Sequence, residues 1–342
     1  MPEQIDQPMT PANILRLYAA TAVALTRWED RPRLVSLAIS EKRGDEADQL
    51  DIVLDDADGL LAIPPEGARL LVMLGWKQGR DVAPGLVHKG SFKVDEVNHS
   101  GPPDQIRIRA RAADFTSAIR NRREQSWANT TLGTVLQDIA GRNALSLRIA
   151  PDLAAIALPA LHQSRESDTA FLRRLGREND AVATIKTGTL IFARKGAGTT
   201  STGQPLPTLA LTRRSGDGHS WQRQTRDGQA GVTAHWHDRK AARHRAVTMG
   251  KAEGAKTLRK TYPDEASARR AATAEHTRLK RAPATLDMRL ALGRPDAIPE
   301  ARVTLTGFKP EIDTTPWLIT EVTHRLDNAG GFITELKMET AG

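Results

Sequence analysis

His235-Trp236-His237-Asp238 is the first stretch whose residue types suit a metal. On a strand, His235 and His237 point to the same face. Two imidazoles and a carboxylate suit zinc or iron. The spacing fixes no third ligand, so a strand edge with two solvated or hydrogen-bonded histidines is the expected reading. Asp51, Asp55, Asp56, Asp58 and Gly59 have the outline of a calcium loop, and Glu66 stands where its closing ligand belongs. Pro64 and Pro65 interrupt it and Asp56-Ala57-Asp58 is short of ligands, which leaves a solvated turn after a strand. Glu166 and Asp168 are the pair to test for glycosidase chemistry. A spacing of two puts them about 200° apart on a helix, so they cannot share a cleft, and acids at a helix start explain them.

Gly196-Ala197-Gly198 and Gly293 lie in neither phosphate-loop nor dinucleotide-loop context. No Gly-x-Ser-x-Gly elbow occurs. The chain has no cysteine, which removes disulfides, thiol nucleophiles and cysteine-ligated metal centres. No catalytic residue, cofactor or metal site is expected.

The remaining chemistry is charge. Net charge is +8, unevenly spread. Residues 1–120 hold slightly more acids than bases, whereas Arg239–Arg281 sets thirteen Lys/Arg against Glu253, Asp264, Glu265 and Glu275. Such a block suits nucleic acid, an acidic protein partner or a solvated face. Only Trp236 and Tyr262 stand near it, too few for a base-stacking platform, and no helix-turn-helix or RNA-recognition signature is present. Arg239, Lys240, Arg243, Arg245 and Trp236 are the candidates for contacts to another subunit or a channel.

These residues need elements to position them. At 342 residues the chain has room for two or three domains. Apolar content is 39% and mean hydropathy −0.44, and no apolar run nears the roughly 18 residues of a membrane span. Met1–Thr10 lacks a basic segment followed by an apolar one, so no cleaved signal is expected and synthesis is cytoplasmic. Its prolines suggest an extended arm.

Alternation predicts strands around Leu34–Ile39, Leu50–Leu54, Arg69–Trp76, Leu86–Val97 and Ile106–Ala110, with Gly90 as a bulge. Short strands at this spacing suggest a barrel or compact sandwich. Leu132, Val135, Leu136 and Ile139 then recur at helical spacing, closed by Gly141 and Asn143. A second helix is expected at about Glu166–Arg177, capped by Ser164, with Phe171, Leu172 and Leu175 inward. Ala181–Ile185 and Thr189–Phe192 read as a hairpin. Lys195–Pro207 reads as a linker. Strands resume at Leu209–Thr212, Ser220–Thr225 and Gly231–Trp236. A helix follows from Tyr262-Pro263 to about Arg281, with Ala268, Ala271, Ala272 and Leu279 inward. Leu286–Leu292, Arg302–Thr306, Trp317–His324 and Gly331–Met338 complete the chain as strands.

The middle of the chain carries a family resemblance. "QSRESDTAFLRRLGREND…TLIF" (Gln163–Phe192) resembles the phage late control D family, the baseplate hubs of contractile tails. "RNRREQSWANTTLGTVLQDIAGRNAL" (Arg120–Leu145) shows that family's Trp, Thr-Leu-Gly and amphipathic helix in the same order. Leu50–Trp76 is similar to its first barrel, and Gly231–Asp238 and Trp317–Met338 to strands of its second. No single motif is catalytic; the order over some 300 residues carries the match. The resemblance covers phages, tailocins and secretion machines alike.

The resemblance implies a mostly β protein with α+β parts. Two related β-barrel hub domains, at 1–115 and 201–342, would flank a central α/β module at 116–200, with a basic helical insertion at about 250–285. It implies a homotrimer whose barrels alternate in a pseudo-sixfold ring between the sixfold tail tube and the threefold spike. Its partners would be the central spike protein, tail tube or tube-initiator proteins, baseplate wedge proteins and the tape-measure protein, with DNA at most passing through the channel. The site would be the baseplate of a virion tail or tailocin particle, assembled in the bacterial host cytoplasm. A tail-associated peptidoglycan hydrolase and a basic nucleic-acid-binding protein are the alternatives; the chain lacks a spare domain of lysozyme size for the first.

Overall fold

Strict apolar alternation dictates most of this architecture. The computed structural model describes residues 10–18, 33–44, 47–65, 67–79, 81–112, 117–186, 188–199, 204–223, 231–238, 241–281, 284–327 and 329–341. The first body is six strands: β1 (Thr10–Tyr18), β2 (Leu34–Lys42), β3 (Gln49–Asp55), β4 (Arg69–Gln78), β5 (Gly85–Ser100) and β6 (Gln105–Ala112). They lie in the order β1-β4-β5-β6-β3-β2, all neighbours antiparallel. In β6, Ile106, Ile108 and Ala110 are buried. The arginines between them point out, Arg109 to Asp51 and Glu96 and Arg111 to Asp95. Val72 faces Gly90 and Met73 faces His88, so the bulge falls on Lys89, beside a glycine at φ 118°. A Cβ on Gly75 would lie 1.7 Å from the Gly85 carbonyl oxygen; β4 and β5 meet there only because a side chain is absent.

The central module holds β7 (Arg122–Thr131), α1 (Leu132–Arg142), β8 (Ser146–Ile149), α2 (Pro151–Ala154), β9 (Ala157–Ser167), α3 (Asp168–Glu178), β10 (Ala181–Lys186) and β11 (Thr189–Arg194). Its core joins the predicted helical stripes: Leu132, Val135, Leu136 and Ile139 meet Phe171, Leu172 and Leu175. The cap of α3 is Ser167, whose side chain accepts from the Ala170 amide, and not Ser164. The reason is β9, which pairs with β7 through Ser167 and holds Ser164 in a strand.

The third part adds β12 (Thr208–Thr212), β13 (Gly216–Arg223), β14 (Gly231–Asp238), β15 (Arg243–Gly250), β16 (Lys256–Tyr262), α4 (Glu265–Arg281), β17 (Ala284–Leu290), β18 (Arg302–Thr306), α5 (Pro310–Asp313), β19 (Trp317–Asp327) and β20 (Gly331–Thr340). Six of these strands, β12, β13, β17, β18, β19 and β20, make the second body. Gly231–Asp238 is not in it. As β14 it is the middle of a separate sheet, β15-β14-β16, on which α4 packs Ala268, Ala271 and Ala272 against Val232 and Ala234. The stretch expected as a basic insertion at about 250–285 thus contributes β16 and α4 to this separate sheet.

The two bodies form one twelve-stranded sheet, joined where β19 pairs with β2. Among the described residues neither body closes on itself as a ring of strands; β1 and β13 are edges of the sheet. Each body has its own core. The β19–β20 hairpin belongs to both: Trp317, Ile319 and Met338 lie in the second core, while Leu326 and Phe332 at its far end lie in the first. At its start β19 pairs with β18, and from Glu321 onward with β2. A register shift marks the change, between Ile319 and Glu321.

Candidate functional site

The joint between the two bodies is where ionisable side chains converge. Glu41 follows Leu37 and Ile39 on the inward face of β2, so its register drives a carboxylate into the core. Lys89 reaches it from the β5 bulge, Nζ to Oε2 2.5 Å. Both are buried. Lys89 Nζ also donates to the carbonyls of Pro295 at 3.1 Å and Ala297 at 3.3 Å. His324 on β19, 0% exposed, places Nε2 3.4 Å from Glu41 Oε2. Its Nδ1 lies 2.9 Å from the Thr334 hydroxyl.

Burial opposes the charge on Glu41, but His324 and the Lys89 ammonium outweigh it and hold the carboxyl at about 2. Burial, reinforced by the Lys89 charge, pushes the His324 imidazole below its usual range. Further ties surround this pair. Arg43 binds Glu300, and Glu339 at 2.6 Å. The Trp76 indole donates to the Gly293 carbonyl at 2.8 Å and its ring centre lies 5.5 Å from that of Phe332. Lys186 of the central module reaches Asp48 at 3.0 Å. Glu41, Lys89 and His324 are buried against one another, and the cluster ties the two bodies together beside a cavity that Glu41 and Lys89 help to line.

The described acids singled out in the sequence are each held by a hydrogen-bond or ion-pair partner. Asp168 is fully buried at the start of α3, bound by Arg142, Asn143 and Gln163. Burial alone would raise its carboxyl; those hydrogen bonds reverse the effect and hold it below the usual range. Glu166 pairs instead with Arg174 at 2.6 Å. Asp55, Asp56 and Asp58 cap backbone amides of their own turn, and Arg33 grips Asp58; Glu66 lies outside the described residues.

Of the basic-block candidates, Arg239 and Lys240 lie outside the described residues, as does the arm Met1–Met9. Trp236 is half-buried on the α4 side of its sheet. Arg245 lies opposite it, guanidinium 5.9 Å from the ring centre, and pairs with Asp238 at 2.9 Å. Arg243 is exposed and forms no ion pair among the described residues. His237 stands across from His244, a neighbour the spacing gave no sign of. Among the described residues no group of three or more His, Asp or Glu is placed to hold a metal, and no helix is long and apolar enough to cross a membrane.

This arrangement, two β bodies fused in one sheet beside an α/β module, recurs in known proteins. Residues 54–330 match the family described as phage tail baseplate hub (GPD). The chain is 39% identical to the "Probable baseplate hub protein" of Escherichia phage 186, over 90% of this chain and 88% of that one. Its counterpart in Escherichia phage P2 is 40% identical over the same shares.

The chain belongs to the phage tail baseplate hub family.

The resemblance read from Gln163–Phe192 and from the ordered strands around it is borne out. The fold of this hub is shared with a tail protein from Neisseria meningitidis, TM-score 0.69 at 15% identity, covering 97% of both chains. It is also shared with an Escherichia coli component of the type VI secretion system, described as structurally similar to the bacteriophage T4 tail proteins gp27 and gp5. That likeness has a TM-score of 0.59 at 15% identity and covers 96% of this chain and 77% of the other. As a hub the chain is a structural component of the phage tail baseplate, and its buried charge cluster is the fastening between its two β bodies.

Proposed function

We propose that the chain is the subunit of a homotrimeric ring that adapts the sixfold tail tube to the threefold central spike, and that it acts without catalysis. One observation supports this above the rest. Each chain carries two six-stranded bodies locked in one sheet at β2–β19, so three chains supply six comparable positions. A threefold partner on one side and a sixfold partner on the other can then both find matching symmetry. Tail tube or tube-initiator, wedge and tape-measure proteins are the further partners in this reading. Arg243, exposed and without an ion pair among the described residues, is the residue assigned to a neighbouring subunit; Arg245 and Trp236 serve the insertion itself.

Mass by light scattering, for the chain alone and mixed with its spike protein, tests the reading. A trimer, or a three-plus-three complex, is expected. A chain that stays monomeric at every concentration and ignores the spike overturns it. Arg243→Glu should weaken the trimer at least tenfold; unchanged trimerisation removes Arg243 from the interface.

A further inference from the structure

The insertion sheet has two faces. Val232, Ala234 and Trp236 of β14 face α4, so Thr233, His235 and His237 stand on the other side. Residues directly across an antiparallel pair share a face. Thr233 confirms the side by meeting Thr248 at 2.9 Å between hydroxyls. His237 is paired in the same way with His244 of β15. Both imidazoles are exposed, and their ring centres are 5.2 Å apart with planes at 65°.

From this geometry we propose that His237 and His244 form a two-histidine site for a borderline divalent cation, zinc or nickel. Two imidazoles bound to one tetrahedral ion at about 2.0–2.1 Å per nitrogen hold their ring centres about 5 Å apart. The observed separation meets that requirement, and rotation of the two exposed, edge-to-face rings about their side-chain torsions turns one nitrogen of each toward the ion. Imidazole is the ligand these ions prefer over carboxylate. Water fills the remaining positions, because His235 has Ala246 opposite it and among the described residues no carboxylate joins the pair. Asp238 is committed to Arg245. The charges of Arg243 and Arg245 oppose the cation, so the site is weak, and added salt strengthens binding by screening them.

The test is calorimetric titration of the tag-free full-length chain with zinc chloride and, separately, nickel chloride. One ion per chain is expected, with at least a tenfold loss of affinity in both His237→Ala and His244→Ala. His235→Ala, on the same strand and face, should stay within twofold. These side chains are exposed, and an unchanged circular dichroism spectrum confirms that each variant is folded. Absence of binding, affinity untouched by either substitution, or an equal loss in His235→Ala overturns the assignment.

Discussion

Replacing Lys89 with methionine tests the fastening between the two bodies. The substitution keeps the length of the side chain and removes its charge. Glu41 is then left buried without its cation, and the carbonyls of Pro295 and Ala297 lose a donor. Two routes give the size of the effect. The Glu41 carboxyl is held at about 2 against an ordinary 4.5 by His324 and Lys89 together, which corresponds to roughly 3 kcal/mol at about 1.4 kcal/mol per unit as the upper limit of what Lys89 supplies through that charge. Breaking a buried ion pair on one side typically costs about 3–5 kcal/mol. A loss of about 3–4 kcal/mol is therefore expected for Lys89→Met. Glu41→Gln/Lys89→Met, with neither charge present, should recover at least about 2 kcal/mol of that loss. Urea unfolding followed by tryptophan fluorescence measures this, since Trp76 sits in the joint. Because the Glu41 carboxyl is depressed in the fold, its contribution is complete above about pH 4.5 and is lost as pH falls toward about 2. Lys89→Met should show a smaller acid-induced loss, because His324 still holds the carboxyl down. A double variant no more stable than Lys89→Met alone would refute the idea that the two charges support each other.

Two further outcomes concern other buried groups. The His324 imidazole titrates below its ordinary 6.5, so the unfolded chain takes up its proton first and stability falls as pH drops below that value; in urea titrations at pH 7 and pH 5.5, His324→Gln should show a smaller difference than the parent. Asp168→Asn places amide hydrogens against the donors of Asn143 and Gln163 and strips Arg142 of its counter-charge, a cost of about 2–5 kcal/mol; a thermal midpoint unchanged from the parent would mean that α1 and α3 hold together by apolar packing alone.

Periodicity made much of this fold readable. The stripe Leu132, Val135, Leu136, Ile139 and the alternation of β6 each serve one buried face, and such residues announce their geometry locally. β7 was hidden because Arg122–Thr131 buries one residue, Trp127, and exists by pairing with β9. Ser164 and Ser167 are both fair caps; only the reach of β9 decides between them. Gly231–Asp238 has the alternation of a strand, which cannot say to which sheet it belongs. The fastening was legible in part. Glu41 and His324 sit on inward positions of their strands, a charge where an apolar residue is due, yet nothing local joins them to Lys89, whose direction comes from a bulge. The partnership of His244 with His237 has no local sign for a related reason, since it needs the β14–β15 hairpin.

The β2–β19 seam has a consequence for synthesis of the protein on the ribosome. Ser40 and its seam partner Glu321 are separated by 281 residues, so nearly the whole chain must be translated before β2 gains its neighbour. Until then the nascent first body presents a bare strand edge, the kind of surface that recruits other chains into aggregates. Glu41, pointing inward on that edge, is an ill-suited guest for a stray apolar strand, and inward-pointing charge is a known guard for such edges. Only the late-arriving β19–β20 hairpin brings His324, Thr334 and the apolar cover that let the charge be sealed away. The cluster that locks the finished hub would thus have protected its unfinished half from the wrong partner.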